Sequence, residues 1–111
     1  MSQPMDLHSI SMTVGDDEIR FRFDPTIPDA VLNAAAIEAA LCDMLATHPE
    51  HFGDRRMVVD LSNMPAMSSS QLGALLAIRK ALGDQHRVQL SNLRPNVREA
   101  LRITRLDHLF G

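Results

Sequence analysis

Residues 57–77 read MVVDLSNMPAMSSSQLGALLA, and this stretch decides the fold. Met57, Val58, Val59, Asp60 and Leu61 form a nearly continuous apolar run, the pattern of a central strand covered on both faces. A short loop follows, then Ser68, Ser69 and Ser70, then Leu72, Leu75, Leu76, Ile78 and Leu82 at helical spacing, with Arg79 and Lys80 on the polar side. The serines fall where the helix begins. A helix N-terminus presents unpaired N–H groups and a partial positive charge. A hydroxyl there caps the helix, and a phosphate there is favoured. The serine cluster is therefore either a cap alone or a cap combined with a phosphorylation switch.

Outward from this unit, Val88, Gln89 and Leu90 predict a short strand, and Pro95 suits the first turn of a last helix. Val97, Ala100, Leu101 and Thr104 give that helix an inward stripe, and Leu106, Leu109 and Phe110 an apolar tail. Upstream, residues 29–47 carry Val31, Ala34, Ala35, Ile37, Leu41, Met44 and Leu45 at roughly helical spacing, with Pro49 and Gly53 ending the unit. Residues 9–14 and 19–23 alternate polar and apolar around the turn Gly15-Asp16-Asp17-Glu18, which predicts a hairpin. Arg20 and Arg22 share one face of it, and Ile19, Phe21 and Phe23 the other. Residues 1–8 read as a flexible lead-in to one domain over residues 9–111. The order is β-β-α-β-α-β-α. Its strand–helix alternation predicts parallel pairing in the second half, with the hairpin adding antiparallel strands at one side.

A chain of 111 residues suits a single core. The net charge of −3 argues against a nucleic-acid binder, which needs a basic face. Aromatics are 4%, all Phe, so no base-stacking platform is evident. Cys42 is the only cysteine; among Ala and Leu it reads as a small core residue in a reducing compartment. The first residues lack a basic stretch and apolar run, and no segment approaches the ~20 apolar residues of a membrane span. A soluble cytoplasmic protein without membrane insertion is expected.

Local chemistry gives the serine cluster a definite geometry. Ser68-Ser69-Ser70-Gln71 fits the capping box S-x-x-Q. Ser68 is the N-cap, its hydroxyl accepting from the Gln71 N–H, while the Gln71 side chain accepts from the Ser68 N–H. Ser69 is then the first helical residue and projects outward. A phosphate on it adds about −1.5 to −2 charges at the positive helix end, which the helix tolerates and an acidic or apolar partner does not.

Residues 58–73 resemble the central segment of STAS domains, the fold of bacterial anti-sigma factor antagonists. In that family a strand ending in D-L runs through a loop into D-S-S-G-L-G at a helix start. Here the strand is Val58-Val59-Asp60-Leu61 and the motif reads Ser68-Ser69-Ser70-Gln71-Leu72-Gly73. Residues 93–101 and 104–110 look like the family's last helix and tail. The resemblance covers residues 10–111 and implies a small α/β STAS-like domain, a mixed sheet of about four strands with helices packed on one side.

The same resemblance implies a role. Ser69 matches the serine that kinase-type anti-sigma factors phosphorylate, and Met67, Ser68, Ser69, Ser70, Gln71 and Leu72 form the matching partner surface. The implied cycle binds a serine-kinase anti-sigma factor when unphosphorylated, releases it on phosphorylation and is reset by a phosphatase. Two departures stand out: Ser68 replaces the usual Asp, losing a negative charge, and Gln71 replaces the usual Gly, placing a longer side chain beside Ser69. The alternative is an unphosphorylated STAS scaffold or adaptor of a signalling or transport complex. Self-association is left open, and a small-ligand or nucleotide sensor has no motif behind it.

His48-Pro49-Glu50-His51 is an H-x-x-H, but Pro49 disrupts the helix and no Cys accompanies it, so it reads as a solvated loop and no metal site is expected. Arg94, Arg98, Arg102 and Arg105 read as one face of the last helix, either solvated or docking an acidic surface. Most of the seven methionines read as core residues, while Met64 and Met67 closely precede the serines, where partial exposure is expected. There is no Gly-rich phosphate loop, no G-x-S-x-G and no activating partner evident for Ser69, so neither an enzyme nor a cofactor is expected.

Overall fold

Strict alternation in the second strand of the hairpin sets the two faces of the sheet. In the computed structural model, which describes residues 3–7, 10–24, 26, 32–83 and 86–110, Ile19, Phe21 and Phe23 are buried while Arg22 is exposed and Arg20 half-buried. The elements run β1 (Gln3–Leu7), β2 (Ile10–Val14), β3 (Glu18–Phe23), α1 (Ala34–Thr47), β4 (Arg56–Asp60), α2 (Ser69–Leu82), β5 (Val88–Ser91) and α3 (Pro95–Ile103). Short 3-10 turns occupy Pro49–His51 and Leu106–Leu109.

The sheet order is β1-β2-β3-β4-β5. The first three strands pair antiparallel, and β3–β4 and β4–β5 pair parallel. The α/β class and mixed sheet agree with the sequence reading. The sheet has five strands rather than about four, because Gln3–Leu7, read as lead-in, pairs in register with β2 from Gln3 opposite Val14 to Leu7 opposite Ile10. The chain here supplies backbone hydrogen bonds to the free edge of β2 without the long alternation that announces a strand.

One face of the sheet carries the core. Ile10 and Met12 of β2, Ile19, Phe21 and Phe23 of β3, Met57 and Val59 of β4, and Val88 of β5 form one cluster with Ile37 and Leu41 of α1, Ala74, Leu75, Ala77, Ile78 and Leu82 of α2, and Val97 and Leu101 of α3. Burying such side chains contributes roughly 1.5–3 kcal/mol each. The opposite face is polar. Val58 and Asp60 lie on it and are nonetheless buried. Their register neighbours are Arg20 and Arg22 on β3 and Gln89 and Ser91 on β5. The apolar run of β4 is thus covered on both faces as expected, but its second cover is long side chains from its neighbours; arginine stems shield apolar surface while the guanidinium stays wet.

Helix α1 begins at Ala34, with the Asn33 side chain accepting from the Ala36 N–H at 3.1 Å. The predicted start near residue 29 and Val31 lie outside the described residues. Cys42 is exposed, correcting its reading as a core residue. Ile37 and Leu41 take the i, i+4 core positions, and the residue after Leu41 rotates away from the sheet. Because α1 is rich in small apolar residues on all sides, its periodicity did not reveal this. Gly83 closes α2 at φ +66, a backbone conformation that favours glycine. Helix α3 buries Val97 and Leu101, but Thr104 is an exposed C-cap rather than part of the inward stripe, and its hydroxyl donates to the Ala100 carbonyl. Arg105 lies beyond the helix at φ +59 and so leaves the expected arginine line.

Candidate functional site

In a sheet with parallel strands, the loops leaving their C-terminal ends lead to the starts of the following helices. Here the loop after β4 runs from Leu61 to Ser68 and opens α2. It is anchored twice by apolar burial. Leu61 and Met64 are buried, and the Met64 N–H donates to the Leu61 carbonyl at 3.0 Å, closing a turn. Met64 therefore belongs to the core, contrary to the partial exposure expected for it. Met67 is half-buried and packs against the core, while Pro65 and Ala66 are exposed.

The start of the loop is fastened by Asp60. Its Oδ1 accepts from the Ser62 N–H at 2.9 Å and from Asn92 Nδ2 at 3.2 Å. Its Oδ2 accepts from Arg20 Nη1 at 2.9 Å and lies 3.7 Å from Arg22 Nε. Burial alone pushes this carboxyl up, but the hydrogen bonds from Ser62, Asn92 and Arg20 outweigh it and hold the pKa at about 2 against an ordinary 3.8. Asn63 adds a second tie: its Oδ1 accepts from Arg22 Nη2 at 3.2 Å and its Nδ2 donates to the Phe23 carbonyl at 3.1 Å. Arg94, the residue before α3, donates through Nε to the Ser62 carbonyl at 3.0 Å. Three strand ends and the α3 start thus converge on the loop that presents the serines. None of Asp60, Asn63, Asn92, Arg20, Arg22 or Arg94 was singled out from sequence as part of this site. The available signal was an acidic residue inside an apolar strand, which when buried must find partners.

The serines divide the work. Ser68 has extended backbone, φ −82 and ψ 170, and its Oγ accepts from the Gln71 N–H at 3.2 Å. Gln71 Oε1 accepts from the Ser68 N–H at 2.8 Å, completing the capping box read from sequence. The Ser68 carbonyl accepts from the Leu72 N–H at 3.0 Å, the first helical bond. Ser69 and Ser70, the first two helical residues, are exposed. Among the described residues their N–H groups and hydroxyls have no protein partner. The box thus satisfies the N-cap and N3 donors and leaves those of the two exposed serines facing solvent. Gln71 and Leu72 are half-buried at the base of this ridge. The longer side chain at 71 folds back onto the cap. Among the described residues, no helix is long and apolar enough to cross a membrane.

Residues 31–111 match a family model described as "Mlab, STAS domain". A STAS-domain containing protein of Pseudomonas aeruginosa (strain UCBPP-PA14) is 44% identical over 57 residues, covering 50% of this chain and 56% of the relative. The chain therefore spans about half the length of the curated relative it matches. The family match extends from α1 through the serine loop to the C-terminal tail, and with it the chain belongs to the STAS domain family.

Proposed function

We propose that this STAS domain is a protein-binding regulator of the anti-sigma factor antagonist type, switched by phosphorylation of Ser69. The observation that carries the reading is the division of labour within the serine triplet. Ser68 is committed to the cap, so its hydroxyl is engaged, while Ser69 offers a free, exposed hydroxyl on the first helical residue. A phosphate there sits beside the unpaired N–H groups of Ser69 and Ser70 at the positive end of α2. The modified helix keeps its cap, so the fold survives. What changes is the surface formed by Met67, Ser68, Ser69, Ser70, Gln71 and Leu72, which gains about two negative charges. A partner packed on that ridge must then bury or repel the charge, and the complex is lost. The partner that fits is a serine-kinase anti-sigma factor, with a phosphatase restoring the binding state in the cytoplasm.

A second reading is favoured by the completeness of the cap. With Ser68 and Gln71 satisfying each other, the unmodified helix start needs no phosphate, and the same ridge serves a constitutive adaptor in a signalling or transport complex. Affinity capture separates the two. Wild type, Ser69→Ala and Ser69→Asp are used as bait in extracts of the producing cell. The switch requires a kinase-like partner held by wild type and Ser69→Ala and lost with Ser69→Asp. Identical partners on all three baits would instead identify a constitutive adaptor.

A further inference from the structure

At the other end of β4, before its first residue, the structure brings together side chains that the sequence reading left in a solvated loop. Pro49 ends α1, but it also opens the 3-10 turn Pro49–His51, with His48 as its N-cap. A 3-10 turn has three residues per turn, so positions i and i+3 eclipse. The H-x-x-H spacing therefore brings His48 and His51 together, with ring centroids 5.2 Å apart. Glu50 turns towards the same place, its Oε1 lying 3.4 Å from His48 Nδ1. One donor atom from each of His48, Glu50 and His51 lies within 4.8 Å of the others.

The backbone of this turn is held from outside. Arg55 Nη1 donates to the Glu50 carbonyl at 3.1 Å and to the His51 carbonyl at 3.0 Å, and its Nε donates to the Gly15 carbonyl at 2.7 Å. The guanidinium thus ties the turn to the β2–β3 hairpin, with these N–H groups directed at carbonyls rather than at the Glu50 carboxylate. Pro49 fixes one backbone angle of the same turn. These constraints lower the ordering cost of assembling three donors.

We propose that His48, Glu50 and His51 form a binding site for a divalent transition-metal ion of the zinc, nickel or cobalt class, with coordination positions left open to water or to a donor from a partner. Two imidazoles and one carboxylate suit these borderline ions; magnesium and calcium select oxygen donors. Donor–metal bonds of about 2.0–2.2 Å put neighbouring donors roughly 3–3.5 Å apart, so only a small side-chain adjustment closes the set. The site is independent of the serine reading, since the two lie at opposite ends of β4.

Isothermal titration of the tag-free protein with Zn2+ and with Ni2+, and with Mg2+ as the hard-cation control, tests the proposal. One Zn2+ or Ni2+ should bind per chain, with no heat from Mg2+. Affinity should fall by about ten-fold or more in His48→Ala and in His51→Ala, remain unchanged in His108→Ala, and fall in Glu50→Gln as well. Circular dichroism on each variant verifies the fold. No binding of either ion to wild type, binding that survives in the His48→Ala/His51→Ala double variant, or an equal loss in His108→Ala would each overturn the proposal.

Discussion

Replacing Asp60 by asparagine removes the charge that fastens the serine loop while keeping the size of the side chain. Asp60 is 7% exposed and its pKa is held at about 2 rather than 3.8. At about 1.36 kcal/mol per pH unit, that depression is linked to about 2 kcal/mol of native stability at neutral pH. Asparagine can still accept from Ser62 or Asn92 through its oxygen, but it offers an amide in place of the oxygen that meets Arg20. Arg20 retains Glu18 at 2.8 Å, so the cost falls mainly on the lost carboxylate. The pH dependence has a fixed sign. In the unfolded chain the carboxyl titrates near ~3.9. Between that value and about 2 the unfolded chain holds more protons than the folded one, so stability falls as the pH falls. Urea denaturation should place Asp60→Asn about 2 kcal/mol below wild type at pH 7, and the gap should close from about pH 4 towards about pH 2. A gap of equal size at about pH 7 and about pH 2.5 would show that the charge of Asp60 is not what stabilises this end of the sheet.

The serine triplet makes a paired prediction: Ser68→Ala should lose about 1 kcal/mol of unfolding free energy, whereas Ser69→Ala should stay within about 0.5 kcal/mol of wild type. Equal losses in the two variants would mean that the cap is shared. Phe21→Ala, in the middle of the core face, should lose about 3–5 kcal/mol in the same urea assay, and a loss below about 1 kcal/mol would contradict the burial of that ring. Ser69→Asp should leave the thermal midpoint at or above that of wild type, because a carboxylate at the first helical position complements the helix dipole. A lower midpoint measured by circular dichroism would show that charge at residue 69 disturbs the fold itself.

Much of this architecture is legible in local pattern. The 2-residue alternation of residues 19–23 places Arg20 and Arg22 opposite Phe21 and Phe23, and the S-x-x-Q spacing gives both hydrogen bonds of the α2 cap. What local pattern did not carry is of two kinds. Some features are settled by partners distant in sequence. The Asp60 network joins residue 20 on β3, residue 60 on β4 and residue 92 just after β5, and Gln3–Leu7 becomes a strand because β2 offers an open edge. Others depend on choosing among helical geometries. Pro49 reads as a breaker, yet it starts a 3-10 turn whose shorter repeat brings His48 and His51 together. Cys42 and Thr104 went astray for a related reason, since a helix that is apolar on several sides, or that ends one residue early, leaves the inward face undetermined by spacing.

The central claim is that charge on Ser69 controls a protein contact without altering the fold. The most direct measurement is the affinity of the captured partner for the purified domain in two forms, unmodified and carrying phosphoserine at residue 69, with the melting curve of each recorded alongside. The account predicts a loss of about a hundred-fold or more in affinity with the melting curve preserved. Equal affinity for the two forms, or a loss that accompanies unfolding of the phosphorylated domain, would contradict it.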